Sequence, residues 1–177
     1  MLKHFSSKDL IIISLLAAIG IAIKPLVTPT IKMVSAPLML PGGSLAGGLY
    51  MMWLVLTVVL VPRFGSGILF GFVQALVTFM LGWFGNHGAL SLLTYTLPGL
   101  VADGIRLLNL SPHSLWGMTV ICSLANLTGS LIMSLIIFQM PLVPLLISSI
   151  TAIFSGIMGG ILAFLIYKKL HKTGLVS

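Results

Sequence analysis

Leu45-Ala-Gly-Gly-Leu-Tyr-Met-Met-Trp-Leu-Val-Leu-Thr-Val-Val-Leu-Val61 runs without a charged residue between two breaks, Pro41-Gly42-Gly43 before it and Pro62-Arg63 after it. An apolar run of about 17–25 residues is what a helix needs to cross a bilayer. The rest of the chain repeats the pattern. Hydrophobic residues make up 58% of the 177, charged residues 6%, and mean hydropathy is +1.21. A soluble domain carries about 25% charged residues, so this chain cannot cover itself with a solvated surface. Lipid offers the backbone no partners, and helices satisfy their own amides. The expected class is therefore an all-α membrane protein, and the length leaves no room for a soluble catalytic domain.

Proline, glycine and polar clusters divide the chain into about six spans in one integral membrane domain covering 1–177. Span 1 is read from Leu10 to Val27, stopping at Lys24-Pro25 and Pro29. Span 2 covers Leu45 to Val61, span 3 Ser66 to Trp83, span 4 Ala89 to Leu108, span 5 Leu115 to Phe138 and span 6 Val143 to Leu170. Thr28 to Pro41 is too long and proline-rich for a simple turn. It reads as a loop or re-entrant piece capping one side. The basic start followed by an apolar run imitates a signal peptide. Lys24-Pro25 stands where a small-residue cleavage site would be, which favours a retained first helix.

Nine Lys and Arg face only two acids, Asp9 and Asp103. No run of five basic residues exists, so the charge orients the chain in the membrane rather than binding nucleic acid. With both termini cytoplasmic, Lys3, Lys8, Arg63, Arg106, Lys168, Lys169 and Lys172 lie inside and only Lys24 and Lys32 outside. Cys122 is the only cysteine, which excludes an intrachain disulfide.

No nucleophile-and-base set and no phosphate-binding glycine loop with Lys-Ser/Thr is present, so neither an enzyme nor an ATPase is expected. No metal site and no cofactor is expected either. Asp103 lies three residues before Arg106, a spacing that predicts an i,i+3 ion pair at the membrane interface or a subunit contact. Small residues four apart mark helix-contact seams. Gly67, Gly71 and Ala75 form one, and Ser155, Gly159 and Ala163, beside Gly156 and Gly160, another. Ser14, Ala18 and Ala22 form a third that could face another membrane protein.

The outer half gathers uncharged hydrogen-bonding groups and rings. Trp53, Gln74, Trp83, Asn86, His87, Tyr95, Asn126 and Ser130 are the candidate substrate-binding residues, with Ser91 and Thr94 nearby. Such groups suit a flat, neutral or weakly charged heteroaromatic ligand. One imidazole without a carboxylate or thiolate is too little for a divalent cation.

The chain resembles the S component, the substrate-binding membrane subunit, of an energy-coupling factor (ECF) transporter for vitamins. The likeness rests on size, six spans, the Ala18-xxx-Ala22 face, the Ser155-to-Leu170 ending and diffuse patterns between Gly47 and Ile105, including Phe64-Gly-Ser-Gly67 and Gly99-Leu-Val-Ala-Asp103. Within that family it is most similar to YkoE-type proteins, linked to thiamin or its hydroxymethylpyrimidine precursor. It departs from that group at Gly71 and Thr78, where the group has acids, which weighs against cationic thiamin. The resemblance implies a subunit of an ABC importer in a prokaryotic plasma membrane. It also implies capture of a vitamin-like molecule and reorientation to release it inside. The implied partners are an ECF transmembrane coupling subunit, met through Ser14, Ala18 and Ala22, and two ATP-binding subunits. The alternatives are a transition-metal (cobalt or nickel) permease subunit and a non-transport scaffold or assembly protein.

Overall fold

Ser6 begins the first helix. Its hydroxyl accepts the Asp9 amide while the Asp9 carboxylate accepts the Ser6 amide, a reciprocal cap. The computed structural model describes residues 5–38, 40–81, 90–108 and 111–174. Among them are six α-helices: α1 Ser7–Ser35, α2 Gly42–Leu60, α3 Ser66–Met80, α4 Leu90–Arg106, α5 Leu115–Ile132 and α6 Leu142–Lys172. A π-helical segment, Met133–Ile137, continues α5. Four helical stretches are long and apolar enough to cross a membrane: Ser7–Ser35, Gly42–Leu60, Leu115–Ile137 and Leu142–Lys172. Among the described residues α3 and α4, at 15 and 17 residues, fall short of that length.

The first helix overturns one expectation. It does not stop at Pro25 and Pro29 but passes through both and ends at Ser35. Each proline removes one amide and frees one carbonyl, at a cost of roughly 3 kcal/mol. Breaking the helix in apolar surroundings would instead expose several groups at once, which is why prolines persist in membrane helices. Thr28 to Ser35 is thus helical rather than a loop, and residues 36–38 form a turn ahead of Pro41, the N-cap of α2. With 29 residues, α1 extends about 43 Å at 1.5 Å per residue.

The centre of the bundle is α2. It touches α1, α3, α4, α5 and α6, and Leu54, Val55, Leu56 and Val58 are fully enclosed. Helices apolar on all sides belong in this position. Around it the exposed side chains are large and apolar, including Leu26, Met33, Trp116, Leu142 and Phe154, as on a surface that faces lipid.

Glycines set the closest crossings. A methyl group on Gly48 would strike the Ser155 carbonyl of α6, and one on Gly159 would strike the Gly48 carbonyl. Here Ser155 Oγ accepts the Gly48 amide at 3.0 Å and donates to the Leu45 carbonyl at 2.6 Å. Gly67 and Gly99 meet backbone to backbone between α3 and α4, with Gly71 against the Tyr95 carbonyl. Gly156 and Gly160 lie against Ser123 and Thr119 of α5. The seams of α3 and α6 therefore face inward. Ser14, Ala18 and Ala22 are exposed instead, along a shallow groove with Val73, Val77 and Leu81 of α3.

The role expected for Asp103 changes as well. Its carboxylate does not form the ion pair with Arg106. It accepts the backbone amides of Gly65, Gly67 and Ile68 at 3.1, 3.1 and 3.0 Å, and the Ser66 hydroxyl lies 3.4 Å away. A helix N-terminus carries orphan amides and a partial positive charge. The α3 sequence offers no side-chain cap of its own at Gly65, so a buried acid from α4 supplies one. Nearby, Arg63 Nε pairs with Asp9 at 2.9 Å and ties the α2–α3 link to the start of α1.

Removing the Asp103 carboxylate should therefore be a folding defect. Hydrogen bonds to a charged group are worth about 1.5–3 kcal/mol each and are not additive. We expect Asp103→Ala to destabilise the detergent-solubilised protein by roughly 3 kcal/mol or more, with Asp103→Asn intermediate because one oxygen still accepts. Thermal unfolding checks this, and a wild-type midpoint for Asp103→Ala would contradict the capping role.

Candidate functional site

A cavity of about 640 Å³ opens at the end of the bundle remote from Asp9 and Asp103. Ligand pockets typically span about 300–1,000 Å³. Its walls come from the second half of α1, the first turns of α2, the second half of α3, the start of α4 and the end of α5 with its π segment. The π turn places Met133 on the wall, with Phe138 just beyond it. Such single π turns recur where a helix must re-aim its side chains.

Lys24 is the cavity's main electrostatic feature. It stands on the same face of α1 as Thr28 and Lys32, at i, i+4 and i+8. Its ammonium lies 4.0 Å from the centre of the Tyr95 ring and 5.8 Å from that of Tyr50, and donates to Gln74 Oε1 at 3.4 Å. Gln74 is held from the other side, its amide donating to the Ala17 carbonyl at 3.2 Å. Gly20 leaves the space that amide needs. Thr28 and Tyr50 share a hydrogen bond of 3.3 Å, joining α1 to α2 across the wall.

The opposite wall is neutral. Asn126 donates to the Ala152 carbonyl of α6 at 2.8 Å and sets its Oδ1 against Gly47, where any side chain would collide with it. Ser130 bonds Ser44 at 2.7 Å and Ser148 at 3.1 Å, and Ser148 also bonds Ser44 at 2.7 Å and Ser134 at 3.2 Å. These buried hydroxyls satisfy one another, and Ser44 and Ser130 present the edge of the cluster to the cavity.

Of the residues expected at the site, Gln74, Tyr95, Asn126 and Ser130 line this cavity together. Trp53 does not. It packs where α1 passes α2, against Gly20, and its buried Nε1 has no hydrogen-bond partner among the described residues. Trp83, Asn86 and His87 lie outside the described residues. Sequence reasoning passed over Lys24, Thr28 and Tyr50. Ending the first helix at Val27 hid the i, i+4, i+8 register that brings Lys24 and Thr28 to one wall.

The chain matches a family described as "ABC-type cobalt transport system, permease component" over residues 8–127. It belongs to that family. Neither a curated protein nor a solved structure matches the chain. Membership makes it a multi-pass membrane subunit of an ABC-type transporter, a transport family rather than an enzyme family, whose partners include ATP-binding subunits. The matched stretch carries α1 to α4 and most of α5, and with them most of the cavity wall.

Asn126 ties the α5 wall to α6. Asn126→Ala should cost about 1–3 kcal/mol, because the Ala152 carbonyl loses a buried donor. Asn126→Asp should cost at least as much, since a carboxylate has no proton to give that carbonyl. Thermal unfolding of the two variants in detergent checks the order.

Proposed function

We propose that this family member is the substrate-binding S component of an energy-coupling ABC importer. It captures a small heteroaromatic vitamin or vitamin precursor, of which thiamin-related hydroxymethylpyrimidine is the favoured example. The observation that carries the reading is the cavity: an open-ended space of about 640 Å³ with two tyrosine rings, neutral amides and hydroxyls, and two lysines, Lys24 and Lys32. A planar ring can stack on Tyr95 or Tyr50 while Gln74 and the hydroxyls meet its edge. A scaffold or assembly protein has no use for such a space.

The family description favours a second reading, transport of cobalt or nickel. The lining speaks against it. Divalent transition metals select imidazole, thiolate or carboxylate. Among the described residues the cavity offers hydroxyls, two amides, the thioethers of Met51 and Met133, and the cations Lys24 and Lys32. Among the described residues no group of three His, Cys, Asp or Glu could hold a metal. Lys24 also weighs against thiamin, whose thiazolium would meet like charge. The excess of basic residues at the Asp9 and Asp103 end supports cytoplasmic termini in a prokaryotic plasma membrane, with the cavity facing out.

The exposed Ser14, Ala18 and Ala22 stripe would meet the transmembrane coupling subunit, which in turn bears two ATP-binding subunits. Small side chains one turn apart leave a groove that a partner helix can enter.

Native mass spectrometry of the gently purified protein tests the substrate reading. An organic adduct of vitamin-precursor mass is the expected result, and stoichiometric cobalt or nickel would overturn it. Ala18→Trp combined with Ala22→Trp should abolish uptake by the assembled transporter and leave that adduct in place. Uptake retained in the double variant would remove the stripe from the interface.

A further inference from the structure

The chain has only two acidic side chains, and both are occupied far from the cavity. Asp9 holds Arg63 and the Ser6 amide, and Asp103 holds the N-terminus of α3. Lys24 nevertheless projects into the cavity wall, partly buried, about 22 Å along α1 from Asp9 at 1.5 Å per residue. Among the described residues its partners are an amide oxygen and two ring faces. A ring face attracts a cation only weakly, and a neutral amide does not neutralise it. No acidic side chain of this chain is placed to supply the missing negative charge. Lys32, two turns further along the same face at the cavity rim, adds a second cation and no counterion.

We propose that the cavity takes an anionic ligand, a carboxylate or phosphate monoester on a heteroaromatic body, with the negative group on Lys24 and the ring against Tyr95 or Tyr50. Lys32 raises the local concentration of anions at the mouth, as a single-sign rim does for a charged ligand. Gln74 acts as a positioning residue. Its amide is anchored to the Ala17 carbonyl, so its oxygen holds the ammonium at a fixed place on the wall. This narrows the vitamin-precursor class proposed above to its anionic members, replacing neutral hydroxymethylpyrimidine as the favoured example by its phosphate or a carboxylate analogue, and rests on the cavity being the substrate site.

Matched pairs that differ in charge test it: nicotinate with nicotinamide, and hydroxymethylpyrimidine with its phosphate monoester. Binding is measured by calorimetry and thermal shift on the full chain in zwitterionic detergent. We expect the anionic member of at least one pair to bind at least tenfold more tightly than its neutral twin. That preference should fall below twofold in Lys24→Met and survive in Lys24→Arg. Equal or tighter binding of the neutral members, an anion preference that persists in Lys24→Met, or no binding by any anion would overturn the proposal.

Nanodiscs of phosphatidylcholine, with and without phosphatidylglycerol, separate the two sources of anion. Stabilisation by phosphatidylglycerol that needs Lys24 and displaces the solutes would assign the negative group to a lipid headgroup, and no such effect assigns it to the solute. Neutral-ligand binding sinks the anion assignment and leaves the transport reading intact. Failure to assemble with ATP-binding subunits sinks the transport reading and leaves the charge preference measurable.

Discussion

Two carboxylates are all the side-chain negative charge this chain has, and both close the same end of the bundle. Asp103 takes up the orphan amides at the start of α3, and Asp9 caps α1 while pairing with Arg63 in the α2–α3 link. In an apolar surrounding an uncapped helix start is expensive, because no water replaces the missing acceptor. Four segments, the starts of α1 and α3, the link between α2 and α3 and the end of α4, are thereby fixed to one another. The glycine crossings of α3 with α4 and of α2 with α6 carry that closeness up the bundle.

The other end is built differently, and its openness follows. Hydroxyls and amides there satisfy each other in small groups, the Ser44, Ser130, Ser134 and Ser148 cluster and the Thr28 and Tyr50 pair, instead of converging on a charge. Neutral groups can line an open space without the penalty that an unpaired carboxylate would bring. Three helix irregularities lie there too: Pro25 and Pro29 in α1 and the π segment after α5. One end of the molecule is stapled and the other is shaped around a volume.

Much of the frame was legible from composition. Apolar runs and their proline and glycine breaks located six helices, and small residues at four-residue spacing marked the inward seams of α3 and α6. Helix interiors announce themselves because each residue's environment repeats along the chain. Long-range polar partnerships do not. That Asp103 would serve amides 35 to 38 residues away depends on α3 and α4 crossing at Gly67 and Gly99, which no local pattern encodes. Arg106, three residues on, was the local partner, yet the carboxylate points to the neighbouring helix. Four residues expected at the site, Gln74, Tyr95, Asn126 and Ser130, do line one cavity, because polar side chains in apolar spans are drawn to interior space. Trp53 shows the limit of that rule: a half-polar ring fits a helix interface as readily as a cavity.

The family description names a metal, and the ligand proposed for the cavity is organic. Both can stand, because a fold and its assembly with ATP-binding subunits are carried by helix crossings spread through the chain, whereas the ligand is chosen by a few wall positions. In this chain those positions hold a lysine between two tyrosines and no acid. A cationic cargo would need that charge offset. An aspartate or glutamate at Thr78 would neutralise Lys24 without disturbing a glycine crossing, since that side chain already lines the cavity. Relatives that share the helical frame can thus differ in cargo through one or two residues. The substrate of each is then to be read from the charge at the Lys24 wall rather than from the frame.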